Sequence, residues 1–189
     1  MSHRQFCALF LVLAGLSLPA AAQETKQPAA PAKPAKPAAK SDKQAMTSTV
    51  FGDWTLRCQA ANGTQPRLCE VSQVIEEKEH SQPIAKISVG RPSGKEMHVA
   101  VILPNNVSFP SSVHIRTSDK DKWGFELAWQ RCIPGACFAD AVLPDATVTL
   151  WHGLDTTGTI VFQDAGGDQV SLPMTFHGFG QALDALNKS

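Results

Sequence analysis

The stretch WGFELAWQRCIPGACFAD (Trp123–Asp140) carries the pattern that decides the fold class. Trp123, Phe125, Leu127 and Trp129 fall on one face of an extended chain, opposite Gly124, Glu126, Ala128 and Gln130. Successive side chains of a strand point to opposite faces, so the alternation reads as a half-buried β-strand. Pro134-Gly135 then reverses the chain. With those two residues as the turn, Cys132 and Cys137 face each other across neighbouring strands. Their Cα atoms would lie about 4.5 Å apart, near the short end of what a disulfide spans. Pro-Gly specifies a type II turn, whose twist suits a hairpin less well than the primed types, and a covalent bridge would compensate.

The same texture extends in both directions. Short β-rich runs (VFGDWTLRC, LCEVSQVI, IAKISVG, MHVAVIL, SVHIRTS, TVTLWHG, TIVFQDA, QVSLPMTF) alternate with turn signals such as Asn62-Gly63, Pro104-Asn105-Asn106, Pro144-Asp145 and Gly166-Gly167-Asp168. Many short strands with closely spaced turns predict an antiparallel sandwich or barrel. In TVTLWHGL, Val148 and Leu150 oppose Thr147, Thr149 and Trp151, which again reads as a strand. Only the C-terminus changes period. Phe179, Leu183 and Leu186 fall at i, i+4 and i+7 and predict one short amphipathic helix closing the domain.

The first residues combine Arg4, an apolar run from Phe6 to Leu18, and the small residues Ala20, Ala21 and Ala22. This is the pattern of a secretory signal over residues 1–22, cleaved before Gln23 and taking Cys7 with it. About 13 apolar residues fall short of the roughly 20 that span a bilayer, so no transmembrane segment is expected in the mature chain. Residues 23–48 repeat Pro28, Pro31, Pro34 and Pro37 among lysines and alanines. Such a segment cannot bury enough apolar area to offset its ordering entropy and reads as a semi-rigid, disordered tether. Its lysines exceed its acids by three, whereas from Thr49 onward acidic residues exceed basic ones by four. A mildly acidic domain argues against nucleic acid as a partner. The basic tether suits anionic envelope surfaces. Residues 49–189 suffice for one core.

An exported chain meets an oxidising compartment, so Cys58, Cys69, Cys132 and Cys137 are expected as disulfides. Proximity favours Cys58 with Cys69 and Cys132 with Cys137 among the three connectivities. Each bridge would stabilise by roughly 2 to 3 kcal/mol through loop closure. Zinc is disfavoured because only the second pair has ligand spacing, and a thioredoxin-type site needs Cys-x-x-Cys at a helix start. The histidines show no ligand spacing, and no nucleophile elbow, phosphate loop or Ser-x-x-Lys motif is present. No metal or cofactor is expected. Trp54, Trp123 and Trp151 have two readings, core packing or a platform for a sugar ring.

Taken together, FGDWTLRCQ, LCEVSQVI, the WGFELAWQRCIPGACFAD block and LPMTFHGFGQALDAL resemble the invasion-associated locus B family of bacterial envelope proteins. The resemblance runs from about Val50 to Leu186. Asn106 stands where the family's Leu-Pro-x-Gly-Val turn carries glycine, and asparagine tolerates the left-handed conformation such a turn needs. The resemblance implies an all-β, immunoglobulin-like antiparallel β-sandwich with a short C-terminal helix. It further implies export to the periplasm or outer membrane, no known catalytic residues, and an association with host-cell invasion in pathogenic members. The expected function is therefore a non-enzymatic envelope interaction module, periplasmic, outer-membrane-associated or secreted, whose partner is an envelope or host-surface protein or polymer. A cell wall glycan-binding module is the alternative, and a redox or hydrolytic enzyme with a site assembled in three dimensions is the third.

Overall fold

Alternating apolar residues place ten strands, and a computed structural model of the chain describes them over residues 46–77, 80–92 and 94–189. The stretch read as a signal and nearly all of the stretch read as a tether lie outside the described residues. In chain order the elements are β1 (Met46–Phe51), β2 (Trp54–Gln59), β3 (Leu68–Glu77), β4 (His80–Gly90), β5 (His98–Leu103), β6 (Ser112–Arg116), β7 (Phe125–Ile133), β8 (Ala136–Val142), α1 (Asp145–His152), β9 (Thr157–Gln163), β10 (Gln169–Thr175) and α2 (Phe179–Asn187). The strands form one antiparallel sheet in the order β1-β2-β3-β4-β5-β8-β7-β6-β9-β10. The sheet bends over on itself. The indole Nε1 of Trp54 in β2 donates to the Thr175 carbonyl of β10 at 2.9 Å, and the Thr175 amide donates to Gln73 Oε1 of β3 at 3.1 Å.

The result is a β-sandwich whose two inner faces supply one core. Val99, Val101 and Leu103 of β5, Val113 and Ile115 of β6, and Leu127 of β7 all point inward and are fully or almost fully buried. They belong to the same cluster as Trp54, Val71, Ile87 and Ile160. α2 adds Phe179, Ala182, Leu183 and Leu186 to it, as the i, i+4, i+7 pattern predicts. Both expected bridges are bonded, Cys58–Cys69 across β2 and β3 and Cys132–Cys137 across β7 and β8, with Cα separations of 4.1 and 4.0 Å. Pro134 and Gly135 are the two turn residues between Ile133 and Ala136.

The structure corrects three local readings. TVTLWHG is not a strand but most of α1, entered through Pro144 and Asp145, with Thr149 Oγ1 donating back to the Asp145 carbonyl. A proline followed by an acid is also a helix-start signal, and burial of Trp151 decides between the two readings. VFGDWTLRC is two strands rather than one, reversed at Gly52-Asp53 so that Phe51 pairs with Trp54, and β1 begins at Met46, inside the stretch read as tether. Finally, Trp123 lies outside β7 and is 83% exposed, whereas Phe125, Leu127 and Trp129 keep the shared face.

Candidate functional site

β6 determines the chemistry of one outer face. Its inward residues are Val113 and Ile115, so Ser112, His114 and Arg116 must point the other way. β6 pairs with β9 through His114↔Val161 and Arg116↔Thr159, and β9 pairs with β10 through Gln163↔Gln169. This register places Val161, Gln163 and Gln169 beside the outward residues of β6. Together with Lys122 and Trp123 from the β6–β7 loop they line an open groove of about 450 Å³.

The loop that carries Trp123 is held by one carboxylate. Asp121 Oδ2 accepts from the Thr117 amide at 3.2 Å and the Thr117 hydroxyl at 3.3 Å, while Oδ1 accepts from the Gly124 amide at 2.9 Å. Gly124 then enters β7 at φ 69°, where a Cβ would meet the Ile115 carbonyl oxygen at 2.8 Å and Arg116 Cγ at 3.0 Å. The missing side chain leaves room for the stem of Arg116. Partial burial works to raise the Asp121 pKa. Hydrogen bonds from Gly124, from the Thr117 amide and hydroxyl, and from the Trp123 amide outweigh it and hold the carboxyl below the usual carboxylate range.

A depressed carboxylate pKa stabilises the folded loop above the unfolded value, and that stabilisation is lost as pH falls through the folded value. Amides of residues 117–124 are therefore expected to be protected at neutral pH and to lose protection, measured against their intrinsic exchange rates at each pH, below about pH 4. Asp121→Asn should give the faster exchange already at neutral pH, with little change in global stability. Hydrogen exchange indistinguishable from that of the native chain would refute this role for Asp121.

The groove is electropositive. Among the described residues, neither Arg116 nor Lys122 is in an ion pair. The buried side-chain nitrogens without a hydrogen-bond partner, again among the described residues, are Arg116 Nε and His114 Nδ1. His114 Nε2 lies 2.9 Å from Ser112 Oγ. On the groove's flank, Phe109 is half-exposed against Trp129 at a ring separation of 5.6 Å, and Trp129 Nε1 donates to Ser111 Oγ.

Other histidines pair with aspartates: His98 with Asp140 at 3.0 Å, His152 with Asp184 at 3.0 Å, and His177 with Asp155 at 2.8 Å. The first of the last two joins the end of α1 to the middle of α2, and the second joins the segment after α1 to the segment before α2. Nucleophilic catalysis of the serine type needs a hydroxyl, a base and a group that orients the base. Among the described residues, the histidine bonded to a serine, His114, has no carboxylate partner, and the three with carboxylates have no serine. No group of three or more ligating side chains that could hold a metal occurs among the described residues. No helix among them is long and apolar enough to cross a membrane.

At one end of the sandwich the Gly52-Asp53 turn interlocks with the start of α2, where the Asp53 amide donates to the His177 carbonyl at 3.2 Å. The two glycine-bearing motifs that mark the ends of the domain are thus one contact. A family model described as "Invasion associated locus B (IalB) protein" matches residues 54–187. The chain belongs to this family. No curated protein sequence matches it. Among solved structures, invasion associated protein b from Bartonella henselae aligns with a TM-score of 0.64 at 15% identity, covering 75% of this chain and 95% of that one. At such identity the likeness carries the fold alone.

Within this invasion-associated locus B domain the three candidate tryptophans separate by burial. Trp54 is fully buried and Trp151 is 1% exposed, so neither ring offers a face to a sugar. Trp123 does. The residues around it that sequence reading missed, Arg116, His114, Lys122, Gln163 and Gln169, include a visible signal in the outward positions of SVHIR. Their convergence with Gln163 and Gln169 depends on the non-local β6–β9 register, which no local pattern encodes.

Proposed function

We propose that this protein is an exported, non-enzymatic envelope interaction module that contributes to host-cell invasion or to envelope maintenance, and that it contacts its partner through the groove beside Trp123. The observation that carries this reading is the placement of an 83% exposed indole next to two cations that are in no ion pair among the described residues, on a domain braced by two disulfides. Exposed aromatic and cationic side chains held by a rigid frame are what a recognition surface requires. Export is supported by the signal pattern of residues 1–22 and by the bridges, which persist in oxidising compartments. The envelope and invasion context comes from the family and from the name of its Bartonella henselae neighbour.

The test is a cross-linked pull-down from envelope extracts with the native chain and with Trp123→Ala, alongside assays of envelope integrity and host-cell entry in a deletion strain. A component recovered by the native chain and depleted in the variant is the expected result. Recovery of nothing specific by the native chain would sink the proposal. A disulfide found to cycle in protein taken from the cell would favour the redox alternative instead.

A further inference from the structure

We infer that the groove lined by Trp123, Arg116, Lys122, His114, Gln163 and Gln169 binds a short stretch of acidic saccharide, a chain of sugar rings bearing carboxylate, sulfate or phosphate groups. The inference rests on the interaction-module reading and names its ligand class. Three features of the groove each require part of that chemistry. The Trp123 ring is 83% exposed, and a flat, exposed indole offers its face to the apolar C–H side of a sugar ring. Gln163 and Gln169, side by side across β9 and β10, supply paired amide donors and acceptors that suit vicinal hydroxyls. Arg116 and Lys122 supply positive charge, and neither is in an ion pair among the described residues.

A neutral sugar would desolvate those cations without return. A free inorganic anion would leave the indole unused. A nucleic acid needs a run of cations along its phosphate backbone, and the groove offers only Arg116 and Lys122, enough for one or two anionic substituents of a short saccharide. The unpartnered nitrogens point the same way. Arg116 Nε is shut from solvent without an acceptor, so the unliganded groove carries an unsatisfied donor. An anionic oxygen reaches Nε when the Arg116 side chain turns toward the groove, and that exchange of a buried, unpaired donor for a paired one favours binding. Glu126, cross-strand from His114, is exposed and outside the groove lining, and Asp121 is committed to its loop. The anionic substituent therefore enters from the Arg116–Lys122 side, with its ring over Trp123.

Sulfated host-surface glycans and phosphorylated or uronic envelope polymers share this chemistry, and the experiment separates them. The mature chain is titrated by calorimetry and tryptophan fluorescence with four probes. These are a heparin-derived oligosaccharide, the phosphorylated core oligosaccharide of a lipopolysaccharide, an oligogalacturonate, and a neutral malto-oligosaccharide. At least one acidic probe is expected to bind tenfold or more tightly than the neutral one, with affinity falling as salt rises. Trp123→Ala and Arg116→Gln should each weaken it by about tenfold, corresponding to one stacking or charge-assisted contact. Circular dichroism confirms that each variant is folded.

Preference for the heparin probe assigns a host source, and preference for the core oligosaccharide or oligogalacturonate an envelope source. Equal affinity for acidic and neutral probes, or acidic binding unchanged by Trp123→Ala, overturns the inference. If it falls while the envelope pull-down remains dependent on Trp123, the partner is not an acidic saccharide and the module reading stands. If both fail, the groove is not a recognition surface.

Discussion

Gly178→Ala is expected to destabilise the domain by about 3 to 5 kcal/mol, among the largest losses any single methyl group can cause here. Gly178 caps α2 at φ 83°, a left-handed conformation that costs an L-residue roughly 1 to 2 kcal/mol. The larger part is steric. A Cβ at this position would collide with the Phe51 carbonyl oxygen and stand 2.8 Å from the Gly52 nitrogen, both rigid backbone atoms of the β1–β2 turn. Relief requires that the turn or the helix move. Moving the turn disturbs the Asp53–His177 bond and Trp54, while moving α2 uncovers Phe179, Leu183 and Leu186.

Gly167→Ala is the internal control, because Gly167 has a φ of 87° but nothing within 4 Å of an added Cβ. That variant should lose only the conformational penalty, about 1 to 2 kcal/mol. Urea midpoints of the two variants separate strain from collision. Equal losses would show that the interlock of the two motifs contributes nothing.

The same interlock shows what the sequence could and could not convey. Strand alternation in HVAVIL and SVHIR survives intact because both runs face one core and are free of breakers. The C-terminal helix was legible because its apolar period is 3.6 rather than 2. Bridge partners were legible because both pairs are hairpin neighbours, so proximity in sequence is proximity in space. α1 was not. Thr147, Val148 and Thr149 are β-branched, and Val148 and Leu150 alternate with Thr147, Thr149 and Trp151, a pattern that local propensity assigns to a strand until the burial of Trp151 overrides it. Trp123 was misplaced for a different reason, since its alternation with Phe125 runs through Gly124, whose positive φ breaks the strand at that point. The groove required the register of β6 on β9, strands separated in sequence by β7, β8 and α1.

Trp151→Ala is expected to cost about 3 to 5 kcal/mol, the range for removing a large aromatic side chain from a packed core. Trp151 stands at the centre of the aromatic cluster. Its ring lies 5.7 Å from Phe125 of β7, 5.6 Å from Phe176 and 6.3 Å from Phe179 of α2. Phe179 in turn meets Trp54 of β2 edge-on at 4.7 Å. One indole on α1 therefore meets the second helix and one half of the bent sheet directly and reaches β2 of the other half through Phe179, and the neighbours that would have to collapse into its cavity are themselves fixed by one another. Little relaxation is available, which places the cost in the upper part of the range. Trp123→Ala removes a side chain of the same type and should change stability by no more than about 0.5 kcal/mol, as for an exposed residue away from special features. Chemical denaturation of the two variants measures both. A loss below about 1 kcal/mol for Trp151→Ala would mean that α1 is not coupled to the core. A large loss for Trp123→Ala would make its exposure structural and remove the basis for assigning it a ligand. With the expected split, the chain uses tryptophan in two ways: Trp54 and Trp151 to close the sandwich, and Trp123 to face what lies outside it.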